Sequence, residues 1–143
     1  YAAKAKTYRY RIHRGSVPDV FNRKYEYHYE KPLDVERMKQ AAAYLTGTHD
    51  FTSFCGNKKM KKSAVRTIYA ITFTEEGDDL FLDFRGNGFL QNMIRILTGT
   101  LIEVGDGRRK PEEIPDMLAQ KNRECAGYTA PAQGLMLMNV EYE

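Results

Sequence analysis

The sequence predicts an α+β domain of the ferredoxin-like, or RRM-like, class, in which helices cover one face of an antiparallel sheet. Three observations lead to this class. Apolar side chains that alternate with polar ones indicate strands, and apolar side chains spaced three and four residues apart indicate helices. The main segments follow one another in the order strand, helix, strand, strand, helix, strand. The length of 143 residues suits one domain with its own core, so residues 1–143 are treated as a single domain.

The first part of the chain contains a strong strand, a weaker strand and a helix. The segment TYRYRIHR, residues 7–14, alternates strictly and predicts a strand with one aromatic face and one cationic face. The alternation in KYEYHYE, residues 24–30, predicts a shorter edge strand. Asp34 has the side chain of an N-cap, and the helix predicted over residues 35–45 ends before a C-cap glycine, Gly47.

A β-hairpin and a final strand complete the predicted sheet. Residues 64–76 and 79–86 both alternate, and the Gly-Asp pair between them predicts a tight turn. Beyond the second long helix, Pro111 is followed by two glutamates, which is the pattern of a helix N-terminus. The last strand is predicted over residues 135–143, LMLMNVEYE.

The second long helix is predicted over residues 89–105, directly after a glycine-rich segment. Arg95 lies at the boundary of its apolar stripe, and two interpretations of this arginine remain open. The side chain extends its charge to solvent, or it binds a carboxylate or phosphate near the glycine-rich helix start. Gly99, one turn further on, leaves room for a partner to come close. The apolar stripe consists of Leu90, Met93, Ile94, Leu97 and Leu101.

Tyr8 and Tyr10 share the aromatic face of the first strand. Tyrosines in this position pack within the sheet, or an exposed one stacks on a nucleobase, which is worth ~1 to 3 kcal/mol per base. The neighbouring Arg9 and Arg11 favour the second interpretation. No segment fits the RNP1 pattern of a classical RRM, so both interpretations stay open.

Positive charge is distributed unevenly along the chain. The net charge is +3, and the cations concentrate in residues 8–15, 57–63 and 105–110. Such patches suit a phosphate backbone, although charge alone fits solvated loops equally well. The middle patch contains Lys58, Lys59, Lys61 and Lys62.

Several functional classes are excluded by composition and motif. No apolar run reaches the ~20 residues of a membrane span and no signal-peptide pattern is present, so we expect a cytoplasmic protein with no membrane partner. The two cysteines, Cys55 and Cys125, are too few for a zinc site or a disulfide framework and are predicted to be free thiols. No metal or cofactor is expected.

No catalytic motif is complete in this sequence. His49 and Asp50 follow a helix end, which predicts that Asp50 is a turn or capping residue rather than part of a catalytic triad. No Gly-x-Ser-x-Gly segment is present. The Gly-Asn-Gly of residues 86–88 lacks the third glycine of a dinucleotide fingerprint and follows a hairpin rather than opening a βαβ crossover.

Five stretches, in order, carry a specific family resemblance. They are KTYRYRI (6–12), PLDVERMKQAAAYLTGTHDFTSF (32–54), RTIYAI (66–71), GNGFLQNMIRILTGTLIEVGDGR (86–108) and AGYTAPAQGLMLMNVEY (126–142). Together they cover most of the chain. In these stretches the chain resembles the C-terminal half of the tRNA pseudouridine synthase A family.

The resemblance implies a function in tRNA modification. The family isomerises uridine to pseudouridine in the anticodon stem-loop of tRNA, without metal or cofactor, as a homodimer. Its catalytic aspartate belongs to a Gly-Arg-Thr-Asp motif in the N-terminal half, and that motif does not occur here. The resemblance therefore implies a fragment that is inactive alone and has the N-terminal half of the same enzyme as a partner.

Two residues match functional positions of the family. Tyr8 matches the tyrosine that stacks on the target base, and Arg95 matches the helix arginine that pairs with the catalytic aspartate. The resemblance thus implies that Arg95 orients an aspartate absent from this chain. Possible contacts to the tRNA backbone are Arg9, Arg11, Lys58, Lys59, Lys61 and Lys62.

Two other functions are compatible with the residues alone. The chain is a non-catalytic RNA-binding module of ferredoxin-like fold if no Gly-Arg-Thr-Asp motif precedes it in the gene. It is an oligomerisation or regulatory domain if the lysines of residues 57–63 have no role in RNA binding.

Overall fold

The computed structural model describes residues 2–143 and confirms the α+β class. Six strands form one sheet, and three α-helices accompany it within the described residues. In chain order the elements are β1 (Ala3–Arg14), β2 (Tyr27–Tyr29), α1 (Val35–Leu45), β3 (Gly47–Asp50), β4 (Val65–Glu76), β5 (Asp79–Gly86), α2 (Met93–Gly105), α3 (Ile114–Gln120) and β6 (Leu135–Tyr142).

The long strands have the ferredoxin-like order β6-β1-β5-β4, with every neighbouring pair antiparallel. This order confirms the predicted fold. The strand β3 extends the sheet beyond β4 and was not predicted. Its four residues follow α1 directly, so their pattern is too short to be recognised as a strand.

The strand β2 makes the sheet mixed, whereas a purely antiparallel sheet was predicted. β2 pairs in parallel with the last three residues of β1, Ile12 to Arg14. The strand β5 pairs along one edge of β1. The strand β6 pairs along the other edge as far as Tyr10, and β2 pairs with the rest of that edge. Only the end of β1 is therefore free for β2, and the predicted strand over residues 24–30 is reduced to three residues.

The helix α2 begins at Met93, four residues later than predicted. Asn92, immediately before it, has φ of 59°, which lies in the left-handed region and prevents the helix from extending backwards. The carbonyl of Gln91 accepts a hydrogen bond from the amide of Gly56 at 2.8 Å. A tertiary contact thus sets the start of this helix. By contrast, α1 has the predicted bounds and the predicted Asp34 cap, whose carboxylate accepts from the Arg37 amide.

The core lies between the sheet and the helices. All five predicted stripe residues are buried, although Leu90 lies just before α2, and so is every residue of α2 from Ile96 to Gly105. Gly99 permits a close approach as predicted, because a Cβ atom there would lie 1.8 Å from the carbonyl oxygen of Tyr128. Among residues 2–143, no helix is long and apolar enough to cross a bilayer. The largest fully buried sheet side chains are Tyr10, Ile12, Ile68, Leu80, Leu82 and Phe84.

Candidate functional site

Arg95 lies in the first turn of α2, and two neutral acceptors hold its guanidinium. Nε donates to the carbonyl of Ala130 at 2.7 Å, and Nη1 donates to Oδ1 of Asn92 at 3.3 Å. Nη2 makes no hydrogen bond to any residue between 2 and 143, and no carboxylate of those residues lies within ion-pair distance. The side chain is therefore oriented while its charge is left uncompensated.

Tyr8 lies in the middle of β1 and is half-buried. Its ring meets the edge of Phe89 in a T-shaped contact, with ring centroids 5.6 Å apart and an interplanar angle of 87°. The ring of Phe89 lies against Gly86, where a Cβ atom would be 2.9 Å from Cζ of that ring. The glycine-rich segment before α2 thus makes room for Phe89, and Phe89 fixes the ring of Tyr8.

The loop of residues 126–134 accepts hydrogen bonds from both β1 and α2 at this site. The buried Tyr10 donates its hydroxyl to the carbonyl of Pro131 at 2.6 Å, one residue from the carbonyl that holds Arg95. Burial raises the pKa of Tyr10, so its phenol stays protonated, and the charge of Arg95 acts in the opposite direction. Because residues 8 and 10 share a face of the strand, Tyr8 and Arg95 lie on the same, helix-covered side of the sheet.

Glu103 anchors the same loop and was missed by the sequence analysis. Its carboxylate accepts from the amide of Tyr128 at 2.9 Å and from Nε of Arg109 at 2.9 Å. Arg109 in turn donates to the carbonyls of Cys125 and Ala126. A buried carboxylate inside an apolar helix was the available signal, because such a group needs a partner.

Arg9 and Arg11 lie on the opposite face of the sheet from Tyr8. Arg9 forms a two-pronged ion pair with Asp83, its direct cross-strand neighbour, at 2.8 and 3.0 Å. Arg11 pairs with Asp79 at 2.6 Å and lies 3.2 Å from the buried carboxylate of Glu26. The structure therefore places both predicted tRNA contacts in ion pairs and does not bring them to Arg95.

The predicted lysine cluster forms an exposed loop between a short 3₁₀ helix, Thr52–Phe54, and β4. All four lysines are exposed, and none forms an ion pair with another described residue. Lys58 and Lys62 line a cavity of about 480 Å³, whereas Lys59 and Lys61 are not among the residues that line it. The cluster is thus divided into two pairs of equal charge and different surroundings.

The remaining candidate residues have structural roles. Asp50 accepts from the amide and the hydroxyl of Thr52 at 2.9 and 2.6 Å, which lowers its pKa and confirms the predicted turn. Cys55 and Cys125 are free thiols, as predicted.

One group on the open face has the side-chain types of metal ligands, with atoms of His13, Asp19 and Glu26 within 4.8 Å of one another. Nδ1 of His13 is hydrogen-bonded to Asp79 at 2.7 Å, and Nε2 to the carbonyl of Val17 at 2.9 Å. Both ring nitrogens are therefore engaged, and the imidazole offers no free lone pair in this arrangement.

Comparison with known proteins connects this geometry to one family. Residues 41–143 match the family model described as tRNA pseudouridine synthase. The chain is 50% identical over 143 residues to tRNA pseudouridine synthase A of Bacillus licheniformis, covering all of this chain and 58% of that protein. It is 52% identical over 136 residues to the protein of that name from Halalkalibacterium halodurans, covering 95% of this chain and 52% of that protein.

A third relative, tRNA pseudouridine synthase A of Bacillus subtilis, is 48% identical over 143 residues, with all of this chain and 58% of that protein covered. The chain thus spans just over half the length of the curated relatives it matches.

Proposed function

The chain belongs to the tRNA pseudouridine synthase family, and from this membership we propose that it forms part of an isomerase that converts uridine to pseudouridine in the anticodon stem-loop of tRNA. Tyr8 stacks on the target base, and Arg95 pairs with a catalytic aspartate supplied by the remainder of the enzyme. The observation that carries this proposal is the uncompensated guanidinium of Arg95, held by Ala130 and Asn92.

The chemistry explains why these two side chains suit the reaction. The bond between N1 of uracil and C1′ of the ribose breaks, the base turns, and a bond from C5 to C1′ forms while C5 loses its proton and N1 gains one. The nucleotide must leave its stack to reach a pocket, and a flat side chain such as Tyr8 replaces the lost stacking. A carboxylate in such a pocket stays ionised only beside a fixed cation, which is the role of Arg95.

The N-terminal half of the same enzyme is the proposed partner. This is supported by β6, which pairs only with β1 among the described strands and leaves its other edge open. Four large apolar side chains of this strand have exposed fractions of 45 to 61%: Met136, Leu137, Met138 and Tyr142. Docking of the N-terminal half against this strand covers them and brings the aspartate to Arg95.

We also propose that the enzyme is cytoplasmic and that it forms a homodimer, of which the family resemblance implies the second. The loop after β1 supports a contact with a second copy, because Val17, Val20 and Phe21 are 66 to 89% exposed. Sedimentation of the full-length gene product tests this, and a monomer at micromolar concentration contradicts it.

A release assay tests the proposed activity. Transfer RNA carrying tritium at C5 of uridine loses that label when C5 bonds to the ribose. We expect release by the full-length gene product and none by residues 1–143 alone. No release by the full-length protein overturns the proposed activity, and absence of a Gly-Arg-Thr-Asp motif from the gene then favours the non-catalytic RNA-binding module.

A further inference from the structure

One cavity, whose lining includes neither Tyr8 nor Arg95, carries four cationic side chains. Two chain segments enclose it, residues 50–64 and residues 121–123, and its volume is about 480 Å³. This volume lies in the range of small-molecule sites, about 300 to 1,000 Å³. The cations are Lys58, Lys62, Lys121 and Arg123, and we call this cavity the lysine–arginine pocket.

The positive charge of the pocket is only partly compensated. Its one acidic side chain, Asp50, lies 3.8 Å from the ammonium of Lys121 and already accepts two hydrogen bonds from Thr52. Arg123 donates to the hydroxyl of Thr129 at 3.1 Å, and no described carboxylate pairs with it. Burial lowers the pKa of Arg123, yet a guanidinium does not lose its proton in proteins, so the desolvated charge favours an anion.

The floor of the pocket is apolar, which a simple anion would not need. Cys55 and Ala64 are buried, and Met60 is half-buried beside them. Asn57 and Asn122 add amide donors and acceptors at the rim. The combination of a cationic rim, an apolar floor and amide groups suits a nucleotide, whose phosphate, base and base edge require these three environments.

Both walls of the pocket connect directly to the residues that hold Arg95. The amide of Gly56 donates to the carbonyl of Gln91, next to Asn92, whose Oδ1 accepts from Arg95. A Cβ atom on Gly56 would lie 2.9 Å from Nδ2 of Asn92, so these two segments pack tightly. On the other wall, Thr129 accepts from Arg123 and is followed by the residue whose carbonyl holds Arg95.

We propose that the lysine–arginine pocket binds a second nucleotide of the substrate RNA, with its phosphate on Lys58, Lys62 and Arg123 and its base against Cys55 and Met60. The identity of the RNA rests on the proposed function. The pocket recognises a nucleotide other than the uridine at Tyr8 and holds the RNA beside the start of α2.

The lysine loop provides a matched pair of variants. The double variant Lys58→Ser/Lys62→Ser removes two charges from the pocket, and Lys59→Ser/Lys61→Ser removes two charges from the same loop outside it. All four positions are exposed, so both variants keep the core intact. The experiment measures tRNA affinity of the full-length gene product at several salt concentrations, together with tritium release.

We expect the pocket variant to bind tRNA at least about tenfold more weakly and to lose about 0.7 to 0.9 of the salt slope for each phosphate contact removed. Its turnover at saturating tRNA is expected to change little, because the loss is one of binding. The control variant is expected to change affinity by less than about threefold. Equal losses of affinity in the two variants overturn the proposed pocket and indicate a general electrostatic attraction. The absence of any loss in the pocket variant also overturns it.

Separate ligands distinguish a nucleotide site from an anion site. Uridine 5′-monophosphate and inorganic phosphate are each added as competitors of tRNA binding. Stronger competition by the nucleotide, abolished only in the pocket variant, supports the proposal, whereas equal competition by the two overturns the base contact. If the wild-type protein binds tRNA without releasing tritium, the proposed activity fails, while the comparison of variants still decides the pocket.

Discussion

Arg95 and Ala130 hold each other through two hydrogen bonds that run in opposite directions. The side chain of Arg95 donates to the carbonyl of Ala130 at 2.7 Å, and the amide of Ala130 donates to the carbonyl of Arg95 at 3.0 Å. The loop of residues 126–134 and the first turn of α2 are thereby joined as one unit. The position of the guanidinium depends on the loop as well as on the helix.

Replacement of Arg95 tests the role proposed for its charge. We expect Arg95→Ala in the full-length gene product to lower turnover by at least about a hundredfold, because an oriented charge at a reacting centre is worth that much or more. Affinity for tRNA is expected to change by less than about fivefold, since the contacts of the pocket and loop remain. Tritium release and filter binding measure the two quantities.

A milder variant separates the charge of Arg95 from its orientation. Asn92→Gly removes the Oδ1 acceptor and retains the positive φ that glycine adopts readily. Turnover is expected to fall by less than in Arg95→Ala. Full activity in Arg95→Ala would refute the role of the arginine, and a loss of tRNA binding equal to the loss of turnover would assign it to substrate binding alone.

Tyr8 is predicted to act through its ring rather than its hydroxyl. Tyr8→Phe retains a flat side chain against Phe89, while Tyr8→Ala removes the stacking surface and the T-shaped contact together. A lost base stack costs ~1 to 3 kcal/mol, so we expect turnover per bound tRNA to fall about five- to 150-fold in Tyr8→Ala. Tyr8→Phe is expected to keep most of the activity. A comparable loss in both variants would point to the hydroxyl instead.

Gly99 is predicted to be required for the packing of the loop on α2. Alanine is the better helix former by about 1 kcal/mol, but its Cβ atom would lie 1.8 Å from the Tyr128 carbonyl oxygen. The overlap outweighs the helix propensity, so Gly99→Ala is expected to lower the free energy of unfolding by about 1 to 3 kcal/mol in urea titrations. Gly88→Ala is the control, because its nearest neighbour atom lies at 3.7 Å. Equal stability of the two variants would contradict the close packing.

Local patterns predicted those parts of the fold that depend on local interactions. The bounds of α1 and β5 were predicted correctly because their signals are local. The Asp34 cap and Gly47 delimit α1, and strict alternation after the Gly-Asp turn marks β5. The start of α2 was wrong because it depends on a hydrogen bond from Gly56, more than thirty residues away. Pairing of β2 with β1 was missed for a similar reason, since it requires knowing which edge β6 leaves free.

The candidate site was predictable only in part. Tyr8 and Arg95 were candidates from their positions in the sequence, the family resemblance implied their roles, and the structure places them on one side of the sheet. The aspartates that pair with Arg9 and Arg11 lie about seventy residues away in sequence, so these ion pairs could not be inferred from the cationic strand. For the same reason the lysine cluster did not reveal which two lysines line the pocket, because Arg123 comes from a distant segment.

His13 is predicted to make the stability of the protein depend on pH. Its imidazole is buried and hydrogen-bonded at both nitrogens, to Asp79 and to the carbonyl of Val17. The hydrogen bond to Asp79 raises the pKa of His13 above its ordinary value of 6.5, against the effect of burial. The other charged groups that face it are Glu26 and Asp19, and Arg11 binds the second carboxylate oxygen of Asp79.

A raised pKa means that the folded state binds the proton more tightly than the unfolded state. The stabilisation is therefore complete below pH 6.5 and is lost as the pH rises through the folded-state pKa. A pKa raised by one pH unit corresponds to about 1.4 kcal/mol of stabilisation. Urea unfolding at pH 6 and at pH 9 measures this loss in the wild type and in His13→Gln, which is expected to show a smaller decrease. His28→Gln is the control. It replaces a ring that contacts His13, but it leaves the hydrogen bond between His13 and Asp79 in place. An equal decrease in His13→Gln and the wild type would assign the pH dependence to other groups.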